Sequence, residues 1–321
     1  MALRSAAFLV LVACASAFAS FGFPASAQTA QATPQALVQH GVQLVESGHC
    51  AEALPLLQRG LPHISDKAQR YHAQMALVRC AMALGQEQVA ADTLFQLQRD
   101  APGDPEVLYV ETHLFSEMGE RAAQELQAKD PASYQQRRLE AETLESQGKN
   151  DEAAALYREI LRQNPKLPGI HYRLGQIDLA IAGDSGPTDA AKQEFEQELA
   201  IDPTDASAEF ILGELARRKG DWDQAVEHFT RAAHLDSGFS EAYLALGMSL
   251  AASGKFADAK APLEHYVKLE PDDPSGHYQL AQADAHTGDT AGAQREMALQ
   301  AQAAARAKSS TDSTQGHPVQ P

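Results

Sequence analysis

Residues Ser240 to Asp273 read SEAYLALGMSLAASGKFADAKAPLEHYVKLEPDD, and this block decides the fold. Leu246 and Leu250 lie four apart and so share one face of a helix. Gly254 ends that helix, because glycine takes a left-handed cap without steric cost. Phe256, Ala259 and Leu263 start a second helix, and Pro271 stops it, having no N–H to donate. The small Gly247 and Ala259 let the two antiparallel helices approach closely.

The block recurs at a fixed interval. Gly220, Gly254 and Gly288 are 34 residues apart, and so are Leu212, Leu246 and Leu280, and Ala225, Ala259 and Ala293. Gly85 and Gly119 keep the same step. Such a period describes an array of one small supersecondary unit, each burying its apolar face against its neighbours.

The pattern of a large residue, Leu-Gly, a bulky residue, Gly, an aromatic, Ala, a bulky residue and Pro resembles the tetratricopeptide repeat (TPR). The resemblance runs from residue 34 to 307 in about eight units. Ala206–Phe239 keeps Leu212-Gly213, Gly220, Trp222, Ala225 and Phe229, with Ser237 in place of the proline. Pro168–Asp205 keeps Leu174-Gly175, Ala191, Phe195 and Pro203 but is four residues longer, with Gly183–Pro187 as the inserted loop. Tyr134–Leu167 supplies Ala141, Gly148, Ala153, Tyr157 and Pro165. Gly41, Gly48, Ala53 and Leu57 form the first unit, and Leu77, Gly85, Ala90 and Leu94 the second. The stretch 105–133 is a degenerate repeat, with Gln124 where alanine belongs. The resemblance implies an all-α, right-handed superhelical solenoid of helix–turn–helix units, which presents a surface to a protein or peptide and is not an enzyme.

The ends read differently. Arg4, the apolar run Ala6–Phe18 and Ala25-Ser26-Ala27 have the form of a signal peptide over 1–27, followed by a short leader, 28–33. Leu11-Val12-Ala13-Cys14 also resembles a lipobox, the alternative being a lipid on Cys14. The chain is therefore expected to be exported and periplasmic. Residues 308–321, Ser- and Thr-rich with no apolar period, are expected to be a disordered tail. The net charge is −17, or −18 once Arg4 is removed with the leader. Such an excess of acid opposes nucleic-acid and acidic-membrane binding. Beyond the leader no apolar run is long enough to span a bilayer.

With the leader gone, two cysteines remain, Cys50 and Cys80. An even count in an exported chain permits a disulfide. The repeat register puts them on neighbouring helices, so a bridge between them is expected.

Catalytic patterns are absent: no GxxxxGK[ST], HExxH, GxSxG or CxxC occurs. The twelve histidines are scattered, and His228 and His234, six apart, do not converge as metal ligands. No metal and no cofactor is expected. Glu194 and Glu198 read as a solvated face, and Trp222 as packing between helices.

In TPR proteins the first helix of each unit lines the concave groove. Carrying its positions over names Tyr172, Gln176 and Leu179; Phe210, Glu214 and Arg217; Leu244 and Met248; and Tyr278 and Gln282. Tyr109 with His113, and Arg138 with Glu142, are equivalent upstream. Aromatic rings with polar neighbours suit an extended peptide or a docked helix. The Lys and Asn pairs by which chaperone adaptors hold a terminal carboxylate do not occur at these positions. The rival reading is a structural, self-associating module, with Tyr172, Phe210 and Tyr278 only packing against neighbours.

Overall fold

The structure, a computed structural model, describes residues 33–183 and 189–315, with side chains to 308. Fifteen α-helices and no strand occur among them. Residues up to Arg121 form one compact unit and those from Ala122 a second.

In the first unit, α1 (Pro34–Glu46) pairs with α2 (Cys50–Gly60), which ends in a 3₁₀ turn at Leu61–His63. Next, α3 (Lys67–Ala83) pairs with α4 (Glu87–Asp100). Cys50 opens α2 and is bonded to Cys80 of α3, with Cα atoms 5.0 Å apart. The bridge ties successive hairpins and closes a loop worth about 3–4 kcal/mol in the chain-entropy model. In the second unit the pairs are α6 (Tyr134–Ser146) with α7 (Asn150–Gln163), α8 (Ile170–Ala182) with α9 (Asp189–Ile201), and α10 (Ala206–Arg218) with α11 (Trp222–Leu235). They are followed by α12 (Ser240–Ala252) with α13 (Phe256–Leu269), and α14 (Pro274–His286) with α15 (Thr290–Gln315).

Six of the seven hairpin turns are made the same way. Gly48, Gly85, Gly148, Gly220, Gly254 and Gly288 all have φ between 65° and 84°. The residue after each donates its amide to the carbonyl five positions back, as Lys255 does to Leu250 (2.8 Å) and Asp221 to Ala216 (2.9 Å). This is the Schellman closure, which satisfies carbonyls left over at the end of the first helix.

Hairpin packing rests on a bare α-carbon. A Cβ added at Gly41, Gly175, Gly213 or Gly247 would lie 2.5–2.7 Å from Leu57, Phe195, Phe229 or Leu263 respectively. Those four large side chains are fully buried, as are Ala53, Ala191, Ala225 and Ala259 one helical turn earlier. Ala141 against Tyr157 uses the same register in α6 and α7.

The structure corrects two readings. The stretch 105–133 is no helix pair but one continuous helix, α5 (Pro105–Lys129). Gly119 lies inside it and lacks a positive φ. The reason is visible downstream: Ala128 stands where other units have Leu, Phe, Tyr or Met, so no large side chain rewards folding back. Glu120–Lys129 meanwhile are mostly strong helix formers. Seven hairpins and one single helix therefore replace eight repeats among the described residues. The tail is the second correction, because α15 continues through Gln315. Its Ala-rich stretch carries helix propensity past the last buried residue, Ala303. The inserted loop falls between α8 and α9, but 184–188 lie outside the described residues, as do the signal peptide, Cys14 and most of the leader.

Gly213→Ala is expected to cost about 1–3 kcal/mol, because Phe229 must move off its seat. Gly220→Ala has open space around it and pays only for its φ of 76°, about 1 kcal/mol. Urea denaturation of both variants measures the difference; equal losses would contradict the packing argument. Asp273 supplies a pH test. Burial pushes its carboxyl up, but hydrogen bonds from the Tyr266 hydroxyl and from Ser275 and Gly276 outweigh this and hold it below the usual carboxylate range. Its stabilising share is present above the ordinary carboxylate pKa and disappears as pH falls through the lower folded value. Wild type is thus expected to lose more stability than Asp273→Asn on acidification below about pH 4. Parallel pH–stability curves would contradict this.

Candidate functional site

In the second unit, residues 210, 214 and 217 of α10 follow helical spacing and share one face. Equivalent positions on α8, α12 and α14 give a strip along the first helices. The structure sorts its aromatic residues into two kinds. The Phe210 ring lies 5.5 Å from Phe229 and 4.9 Å from Phe239 and joins two core clusters. Tyr172 is half-buried, edge-on to Phe195 at 5.5 Å, and its hydroxyl accepts from Gln176 Nε2 at 3.2 Å. Burial, then the nearby Asp205 charge, raises its phenol pKa, so Tyr172 stays neutral. These two rings serve mainly the packing. Tyr278 and Met248 do not, being 44% and 37% exposed on α14 and α12.

Between the two groups, Arg217 grips Glu214 with two parallel bonds, Nε to Oε1 at 2.9 Å and the terminal nitrogen to Oε2 at 2.7 Å. Donating these bonds to Glu214 raises the Arg217 pKa further. The pair cancels its own charge, leaving a face of mostly neutral character: Leu244 and Gln282 half-buried, Met248 and Tyr278 exposed. Such a face can bind through apolar contact and hydrogen bonds. Upstream, Arg138 Nε bonds Glu142 at 3.0 Å. In the first unit, Tyr109 stacks edge-on against His113 at 4.5 Å.

A second feature escaped the sequence reading. His171 Nδ1 lies 2.6 Å from Glu194, His228 Nδ1 2.7 Å from Glu209, and His277 Nδ1 2.7 Å from Glu296. Arg231 adds a 2.7 Å bond to Glu209, and Arg137 reaches Glu159 at 2.9 Å. Three of the twelve histidines are therefore not scattered. They fall at equivalent places in the repeat and join the two helices of one hairpin, with acid and base exchanged in α10 and α11. Aligning the blocks by their glycines would have found the first-helix partner four residues into each block.

Glu194 and Glu198 are likewise no solvated face. Glu198 is 1% exposed and accepts from the backbone amides of Gly169 (2.6 Å) and Tyr172 (3.1 Å). Gly169 has no side chain to cap α8, so a carboxylate from α9 does it. No group of three or more His, Cys, Asp or Glu residues converges to hold a metal ion among the described residues.

Paired helices closed by glycine turns, stacked on a small-residue seam, define an α-helical repeat protein. Three family models, each described as tetratricopeptide repeat, match residues 135–177, 181–238 and 216–278. The matched stretches are tetratricopeptide repeats, and the described residues form an all-α solenoid; such repeats serve as protein–protein interaction scaffolds. No curated protein matches it. Among solved structures it is similar to MamA (20% identity over 53% of this chain and 96% of that one, TM-score 0.47). It is also similar to a MamA fragment from Desulfovibrio magneticus RS-1 (18%, 54% and 96%, 0.46). A third is YrrB, described as a TPR protein with an unusual peptide-binding site (18%, 57% and 92%, 0.48).

Glu198→Ala leaves two backbone amides at the start of α8 without acceptors. The expected loss is about 1–3 kcal/mol by chemical denaturation, and an unchanged midpoint would contradict the capping role.

Proposed function

We propose that the first-helix face of the second unit recognises an extended peptide or a docked helix of a protein partner in the cell envelope. The observation that carries this is the exposure of Met248 and Tyr278 on helices whose other large apolar side chains are buried or half-buried. A thioether and a phenol on neighbouring first helices, α12 and α14, offer adaptable apolar contact with a polar tip to fix register. Leu244 extends the apolar strip, and Gln282 with the closed Glu214–Arg217 pair supplies polar edges. The scaffold is preformed, so little ordering opposes binding.

Export rests on the leader and on the Cys50–Cys80 bond, since such bonds persist in oxidising compartments. Cleavage after Ala27 releases the chain to the periplasm; the alternative is a lipid-anchored assembly factor held through Cys14. No helix among the described residues is long and apolar enough to cross a membrane. A structural, self-associating role is the rival reading, favoured by the same exposed pair acting between copies.

The test places a photo-crosslinker at Met248, with the exposed second-helix residue Glu227 as control. Phe210 is unsuitable because its ring is packed. One discrete partner is expected from Met248 and none from Glu227, and Tyr278→Ala is expected to weaken its binding at least tenfold, about 1.4 kcal/mol. Products between copies of the chain would favour self-association. Equal capture from both positions would overturn the reading.

A further inference from the structure

A second site lies in the first unit, on the side of its second helices and away from any first-helix groove. A cleft of about 500 Å³ opens between the end of α2 with its 3₁₀ turn and α4, over α3. That volume lies within the range of small-molecule sites. Leu61, Ile64, Leu77 and Val89 supply apolar lining.

Gln74 also lines the cleft, although its side chain belongs to a residue only 3% exposed. Its Oε1 meets no donor. Its Nε2 makes one long bond, 3.4 Å to Gln96 Oε1. Buried amides are normally satisfied on both ends, so an orphaned acceptor bordering a cavity marks the place of a missing donor.

The rim of α4 supplies the rest. Asp92, Gln96 and Arg99 follow at four and then three residues, on one helix face, and all three line the cleft. Arg99 lies three residues after Gln96 on the same face and lines the cleft with it. It has no carboxylate partner among the described residues, whereas Arg70 is engaged by Asp100 at 3.4 Å. Asp92 gives one oxygen to Gln88 (2.9 Å) and keeps the other. The order along the helix is acid, amide, free guanidinium.

We infer that this cleft binds a small zwitterion, an aliphatic α-amino acid. Its carboxylate pairs with Arg99, its ammonium donates to Gln74 Oε1 and Asp92, and its side chain lies on Leu61, Ile64, Leu77 and Val89. The site is separate from the face proposed for protein recognition, and neither inference depends on the other.

Isothermal titration calorimetry of the oxidised protein with leucine, leucinamide and N-acetyl-leucine tests it. Leucine is expected to bind. Leucinamide, lacking the carboxylate, and N-acetyl-leucine, lacking the ammonium, are expected to bind at least tenfold more weakly. Arg99→Gln, at an exposed position, is expected to weaken leucine at least tenfold without changing thermal unfolding. Gln74→Met is expected to do the same through the acceptor; should it fail to fold, Arg99→Gln decides alone. Absence of leucine binding, equal affinity for all three compounds, or full affinity in Arg99→Gln would overturn the proposal.

Discussion

A large side chain seated on the bare α-carbon of a glycine is the contact on which the hairpins depend. Where Leu57, Phe195, Phe229 and Leu263 meet Gly41, Gly175, Gly213 and Gly247, the two helices come closer than any Cβ allows. That approach buries the alanines a turn away and sets which residues of the first helix are left facing outward. The glycine turns only close the hairpin; the seat decides how it packs. Interiors are dense enough that one added methyl is felt, so the constraint is sharp.

This contact is also why so much of the fold was legible. A seat needs glycine or alanine at one place and a bulky residue sixteen later (twenty for Gly175 and Phe195, across the insertion), and that requirement prints a period on the sequence. The turn glycines print another. Where the first signal lapses, the second misleads: Gly119 keeps the interval, but with Ala128 sixteen or so residues past the missing seat, the chain runs on as one helix. The disulfide between Cys50 and Cys80 could be placed because the register fixes which helices are neighbours.

The candidate face was legible only in part. Register says which residues lie on the first helices, but not how far each is drawn into the packing. Phe210 and Tyr278 occupy the same position in their units, yet Phe239 and Phe229 enclose the first and nothing comparable encloses the second. That difference comes from neighbours one repeat away, which single-position reasoning does not weigh. Glu198 was misread for a related reason: its partners are backbone amides of α8, distant in sequence and silent in residue type. The paired histidines were hidden because acid and base exchange helices between hairpins, so no single column of the repeat is always histidine.

Recognition and architecture thus share one cause. Close seating makes a rigid array, and in the proposed reading that array holds Met248 and Tyr278 in place for a partner at small entropic cost. The most direct measurement is a double-mutant cycle between Gly247 and Leu263, read by urea denaturation. Gly247→Ala and Leu263→Ala each destabilise, by overpacking and by cavity formation. If the seat is what matters, truncating Leu263 makes room for the added methyl, and the double variant is more stable than the sum of the two by at least about 1 kcal/mol. Additive losses would show that the glycine serves something other than this contact, and the account would fail at its foundation.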